Sequence, residues 1–321
     1  MKRFQVFLLI SVCFLFACNE QANVAGNTKE IADVNSEQYI TVLGIAQDAG
    51  YPQINCEKKC CSAYYNGEES KKLISCLGLV DKNVNKKWLF DATPDIVEQI
   101  QILKERHIQT DKVIDGIFLT HAHIGHYTGL MQLGREALGS EEIPVYAMPK
   151  MKQFLESNGP WSQLVSLRNI NIKALKNDSI IALNDNLKIT PILVPHRDEY
   201  SETVGYKIEG KRKSALFIPD IDKWHQWKRN IIEEVKKVDY AFLDASFFRD
   251  GELERDMSKI PHPFTTETTT LFENETSETK NKIHFIHFNH TNPAIKDKHH
   301  LKDSLQNLGF RFAKEGDNFG L

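Results

Sequence analysis

Three histidines fall within six positions at the end of an apolar run: His121, His123 and His126 in "LTHAHIGHYTGL" (residues 119–130). Neutral imidazole is a strong ligand for zinc-like ions, and several rings crowded into one short loop repel one another when protonated. They make chemical sense around a cation. Residues 121 and 123 are two apart, so extended backbone projects both rings to the same side. Four further apolar runs close on a similar residue: "KWLF" on Asp91, "ITPILVP" on His196, "ALFIP" on Asp220 and "HFI" on His287. Any one of these is an ordinary strand end. Together they predict strand ends that converge on one edge and present imidazoles and carboxylates there.

A second concentration of donor atoms lies earlier, where "NCEKKCC" (residues 55–61) brings together Cys56, Cys60 and Cys61. Adjacent cysteines rarely bridge each other, so a zinc–thiolate cluster competes with a pair of disulfides at this stage. Cys76 alternates with apolar residues in "ISCLGLV" and reads as packing.

These residues need a scaffold. The 321 residues are 41% hydrophobic, enough to bury a sizeable core in one large domain or two smaller ones. Forty basic and 43 acidic residues are interspersed for a net charge of −3, which gives nucleic acid no basic groove. From residue 39 onward, short β-branched runs alternate with helical stretches. Strands are expected at 39–46, 113–120, 143–148, 187–196 and 214–220, with a hairpin over 74–80 and 86–92. Helices are expected after Thr93, over 126–139, over 149–159, over 223–238 and towards the end of the chain. Mixed strand directions with helices throughout suggest two packed sheets with helices outside.

The first residues are different. Lys2 and Arg3 precede an apolar stretch over 4–17, too short for a membrane span of roughly 20 residues and suited to a signal peptide. "LFAC" resembles a bacterial lipoprotein cleavage box, which implies a signal peptide over 1–17 and lipidation of Cys18. Residues 18–37 then read as a flexible polar tether, and 38–321 as the folded domain. The expectation is an exported protein held on the periplasmic or cell-surface side of a membrane by its lipid.

The strand-end donors and the histidine loop together resemble the metallo-β-lactamase superfamily, whose signature is H-x-H-x-D-H followed by a His, an Asp and a His on later strands. The resemblance implies a four-layer αββα sandwich with metals at one edge. It assigns His121, His123 and His196 to one metal, His126 and His287 to another, and Asp220 to both, with Asp91 supporting the loop from behind. The signature's aspartate is replaced by Gly125, so the second site is expected to be a ligand short and weak or empty.

Within the superfamily, "VLGIAQDAGYPQINCEKKCC", "WLFDATPDIVEQI" and "HFNHTNP" resemble the family of pyrroloquinoline quinone biosynthesis protein B. They resemble the cyclic phosphodiesterases of phosphonate breakdown more distantly. That likeness implies a structural zinc on Cys56, Cys60, Cys61 and His290, and a general-acid role for His262 in "KIPHPF". The leading expectation is a hydrolase that turns metal-bound hydroxide on a phosphodiester or related small-molecule ester, with Asp220 orienting the water. A metal-dependent oxygenase and a non-catalytic metal-binding lipoprotein are the alternatives. Zinc is the expected metal, with iron and manganese left open, as is the oligomeric state. His284 is expected in the core or behind the site, and His107, His225, His299 and His300 on helix surfaces.

Overall fold

Alternate residues of the first strand belong to different cores. The computed structural model describes residues 36–297 and 299–321, so the leader and Cys18 lie outside the described residues. In β1 (Gln38–Gly44), Ile40 and Val42 join one buried cluster while Tyr39 and Leu43 join another, the period-two signature of a sheet buried on both faces. Its sheet continues with β2 (Cys76–Asp81), β3 (Lys86–Phe90), β4 (Gly116–Phe118), β5 (Ile143–Ala147) and β6 (Ile170–Ala174). The second sheet comprises β7 (Ile181–Asn184), β8 (Leu187–Leu193), β9 (Val204–Glu209), β10 (Ser214–Ile218), β11 (Tyr240–Asp244), β12 (Ile283–Ile286) and β13 (Arg311–Phe312), and β14 (Asn318–Gly320) returns to pair with β1. The spatial orders are 14-1-2-3-4-5-6 and 13-12-11-10-9-8-7.

Between the sheets, Leu77, Leu79, Phe90 and Phe118 from the first meet Tyr206, Ile208, Phe217 and Phe242 from the second. Phe90 and Phe118 stack with ring centroids 5.2 Å apart, and both contact Tyr206. Outside the first sheet, helix Ile96–Arg106 inserts Ile96 and Leu103, and helix Pro149–Ser157 inserts Met151 and Leu155. Gly78 makes room for the former, since a Cβ there would stand 2.8 Å from Leu103 Cδ2. Helices Ile231–Lys236 and His300–Asn307 pack Ile231, Val235, Leu301 and Leu305 against the other sheet's core. The layers are helix, sheet, sheet, helix: the expected αββα sandwich.

Strand direction positions the site. β1 and β2 are antiparallel, as are β2 and β3, whereas β3 to β6 are mutually parallel. β1, β3 and β4 therefore all run the same way. In the second sheet, β8 is antiparallel to β9 and β9 to β10, while β10 to β13 are parallel, so β8, β10, β11 and β12 also share a direction. Loops leaving the carboxyl ends of such strands are where α/β sheets present functional groups.

Three expectations need correction. Residues 126–139 do not form one α-helix: a turn at Ile124–Tyr127 leads into a 3₁₀ helix, Thr128–Leu133. Gly129 presses against the loop after β3, its N–H donating to Ala92 O at 2.9 Å, and a Cβ would stand 2.0 Å from Thr93 O. The amphipathic stretch 223–238 is also broken, into a 3₁₀ turn Trp224–Gln226 and helix Ile231–Lys236. Trp224 and Trp227 direct their indole N–H groups to Thr268 Oγ1 and Leu193 O, and Asn230 caps the helix that follows. Finally, His107 is not a surface residue; it packs beside Tyr39, whose hydroxyl lies 3.1 Å from Nδ1.

Candidate metal centre

Of the co-directional strands, β1, β3, β4, β8, β10, β11 and β12 each lead into a polar residue of the rim. Just after β3, Asp91 adopts φ 73°, a left-handed conformation costing on the order of 1 kcal/mol that persists only when its surroundings over-determine it. Here they do. Asp91 Oδ1 accepts from Thr120 N (2.7 Å), its carboxylate accepts from Thr120 Oγ1 (2.9 and 3.0 Å), and its Oδ2 lies 2.7 Å from His126 Nδ1. With the hydroxyl proton of Thr120 committed to Asp91, His121 Nδ1, 3.0 Å from Thr120 Oγ1, is the donor in that contact. Both imidazoles thus have their outer nitrogens engaged and their Nε2 atoms turned inward, the support that orients metal-ligating histidines.

The second sheet repeats the device. Ser246 Oγ donates to Asp244 Oδ1 (2.8 Å) and lies 2.9 Å from His287 Nδ1, so His287 is fixed with Nε2 inward, again at positive φ (68°). His262 arrives from the loop after β11 and puts Nδ1 2.9 Å from Asp244 Oδ2 and 3.1 Å from Asp220 Oδ1.

All seven sequence-predicted rim residues are brought together. His121 Nε2 lies 2.8 Å from His123 Nδ1 and 3.3 Å from Asp220 Oδ2, and His196 Nε2 lies 3.2 Å from Asp220 Oδ1. His126 Nε2 and His287 Nε2 are 3.3 Å apart. A tetrahedral zinc with bonds of about 2.1 Å separates neighbouring ligand atoms by about 3.4 Å, so these spacings fit. The sharper test is His196. Its side chain is fully buried, yet neither ring nitrogen makes a hydrogen bond. Burying an unpaired imidazole is costly, and a cation resolves it. Two groups sharing Asp220 result, His121, His123, His196 and Asp220, and Asp48, His126, Asp220 and His287; a further set, Asp220, Asp244, His262 and His287, overlaps them.

Asp48 escaped the sequence reading. It sits four residues beyond β1, with Oδ1 3.0 Å from His126 Nε2 and 3.3 Å from His287 Nε2. Burial works against its charge, but the two imidazoles hold its carboxyl well below the usual range. His126, buried between Asp91 and Asp48, is pushed well above the ordinary histidine value despite its burial, the proton standing where a cation would. Asp220 is likewise held low against burial by His196 and His262. Asp244 and Ser246 were missed too, although "DYAFLD" is an apolar run closing on an acid like the others.

The cysteines form the other group. Cys56 Sγ and Cys60 Sγ are 3.6 Å apart, and His290 Nδ1 lies 3.5 Å from Cys60 Sγ and 3.3 Å from Cys61 Sγ. Disulfide sulfurs sit about 2.05 Å apart; these thiols are free, at spacings that suit a tetrahedral zinc. Burial pushes Cys61 up to about 12, so joint ionisation of three thiols calls for a cation. Cys76 is fully buried beneath the first sheet, as expected.

Comparison with known proteins agrees with this geometry. The family model described as a β-lactamase superfamily domain matches residues 86–285. The chain is 24% identical over 311 residues to coenzyme PQQ synthesis protein B of Nitrosococcus oceani, covering 86% of this chain and 98% of that protein. Among solved structures, zinc-bound PqqB from Methylobacterium extorquens superposes with a TM-score of 0.73 at 20% identity, over 88% of this chain and all of the other. A diphosphatase from the PhnP family gives 0.62 at 24% identity, over 88% of this chain and 96% of its own. The likeness and the donor clusters together support metal binding, zinc in particular.

Proposed function

Because the chain belongs to the β-lactamase superfamily, with a metallo-β-lactamase fold close to that of PqqB-like proteins, we propose that it is a metal-dependent hydrolase acting on a phosphodiester or related ester. The carrying observation is the convergence of His121, His123 and His196 on Asp220, with His196 buried and otherwise without a partner. Zinc, when bound there, supplies a Lewis acid that makes water nucleophilic near neutral pH.

The chain's own residues supply the rest. His121 and His123 offer Nε2 and Nδ1 to the first group, and Asp220 spans both groups, its Oδ2 3.3 Å from His121 Nε2 and 3.8 Å from His126 Nε2. Asp244 and Asp220 hold a proton on His262 Nδ1; against the opposing effect of burial, they push its pKa up to about 10. The ring therefore stays protonated, and its Nε2–H is the donor available to a leaving oxygen. Arg197, half exposed, lies with one guanidinium nitrogen 3.3 Å from His123 Nε2 and is paired with Glu199 at 3.8 Å, so an anionic ester that approaches it competes with that carboxylate. The PhnP-family neighbour, named a diphosphatase, supports phosphorus-ester chemistry on this fold.

Purified protein assayed with bis(p-nitrophenyl) phosphate tests the reading. Activity should accompany bound transition metal and fall by about 10³-fold or more in His121→Ala/His123→Ala. Protein that binds no transition metal, or a double variant of full activity, overturns it. Oxygen consumption with bound iron would favour the oxygenase reading instead. We also propose attachment to a membrane outside the cytoplasm, on the leader and Cys18; Cys18→Ser should abolish labelling by radioactive palmitate, and undiminished labelling would count against the anchor.

A further inference from the structure

We infer that Asp48 supplies the carboxylate of the second metal group, and that position 125 is glycine because Asp48 occupies the space a side chain there would need. This rests on the metallohydrolase reading and deepens it. A Cβ on Gly125 would stand 2.5 Å from Asp48 Cα, 2.9 Å from its Cβ and 2.8 Å from its Oδ1. Contacts below 3.0 Å with backbone are not relieved by a rotamer change, so a side chain at 125 and the present placement of residue 48 exclude each other. A carboxylate reaches His126 and His287 from one segment or from the other, never from both. In this chain it comes from the loop after β1.

That loop is built to hold it. Gln47 N–H donates to Phe288 O at 2.8 Å, and Asn289 Nδ2 donates to Gln47 Oε1 at 2.8 Å, which ties the residue before Asp48 to both residues after His287. Ala46 bridges Ile74 and Phe288, and Gly50 N–H closes a turn onto Gln47 O at 2.7 Å. Asp48 thus rides on the same segment as the imidazole it faces. Further along, Cys56, Cys60 and Cys61 meet His290 and fasten the far end of the loop to the same stretch.

Charge points the same way. Asp48, Asp91, Asp220 and Asp244 surround imidazoles whose outer nitrogens are already engaged. A divalent ion between the inward Nε2 atoms of His126 and His287 balances that excess of carboxylate, and Asp48 Oδ1 faces both.

Metal counting on the full-length, metal-stripped protein retitrated with zinc decides the matter. Wild type is expected to bind three zinc ions per chain, one for each of the thiolate group and the two rim groups. Asp48→Ala and the near-isosteric Asp48→Asn should each lose one, with the third ion weakened by about 10²-fold or more; circular dichroism and thermal midpoints check that both fold, and Asp48→Asn decides if Asp48→Ala does not. Gly125→Asp should gain nothing, alone or combined with Asp48→Gly, because a Cβ at 125 would still stand 2.5 Å from the Cα of residue 48. Three tightly held ions in Asp48→Asn overturn the inference. So does a wild type with one rim ion, which leaves the metallohydrolase reading standing. A wild type holding only the thiolate ion sinks that reading and this inference with it.

Discussion

Four consecutive residues, His287 to His290, join two donor groups of opposite character. At one end, His290 completes a set with Cys56, Cys60 and Cys61: four protein atoms from two segments, soft and closed. At the other, His287 belongs to a rim of seven donor residues carried by five strand ends, with imidazoles and carboxylates and two partly open members, His123 and Asp48. Thiolate-rich sites with four protein ligands are structural, whereas catalytic sites keep a position open. The difference teaches that one chemistry of attraction serves two tasks, bracing a loop and binding a reactant, according to whether an ion has four donors to itself or shares one of them, Asp220, with a neighbouring group at a partly open rim.

The comparison breaks most visibly if the tasks can be exchanged. His121→Ala/His123→Ala should remove about 10³-fold or more of hydrolysis while moving the urea midpoint little; a large loss of stability would mean that the rim braces the fold as well. Next, Cys60→Ser/Cys61→Ser should cost about 3 kcal/mol in urea unfolding and one bound zinc ion. An unchanged unfolding curve would deny the thiolate group its bracing task. A smaller effect is expected behind the rim. Asp91→Asn keeps shape but withdraws the acceptor that orients His126 and Thr120, and should weaken metal binding by about 10- to 100-fold. Wild-type affinity in a zinc titration would show that the histidine loop orients itself.

The smallest effect concerns a histidine with neither task. His284 lies in β12 among Phe242, Phe319 and Tyr240, and burial, aided by Arg311, pushes its pKa down to about 4. Its folded value lies below the unfolded value near 6.5, so its contribution is intact above that pH and is lost as pH falls from 6.5 through 4. Replacing it, as in His284→Phe, should make stability decline less on acidification, by about 2 kcal/mol between roughly pH 7 and pH 4.5. An unaltered pH profile of the thermal midpoint would mean the ring is freely solvated.

Much of this was legible in the residues because strand ends advertise themselves. Asp91, His121, His196, Asp220 and His287 each close an apolar run, and a sheet whose strands share a direction must bring such ends to one edge. Asp48 gave no such signal. It lies beyond a glycine in a loop, and only the clash at Gly125 reveals that it stands where the signature's aspartate would reach. Asp244 carried the signal and was passed over. Helix boundaries were less readable, since the break within 223–238 depends on two indole N–H groups finding acceptors at Thr268 and Leu193, residues distant in the chain.

The shared strand direction has one more result. At the edge away from the donors the chain turns tightly, over residues 82–85, 185–186 and 210–213, whereas at the donor edge it runs long, over 45–75 and 194–203. Those short turns set the hairpin registers, and the long spans are free of that duty. Insertions, deletions and new side chains can therefore accumulate around the rim while the stacked sheets keep their alignment, so this architecture can acquire a different appetite for substrates without having to learn again how to fold.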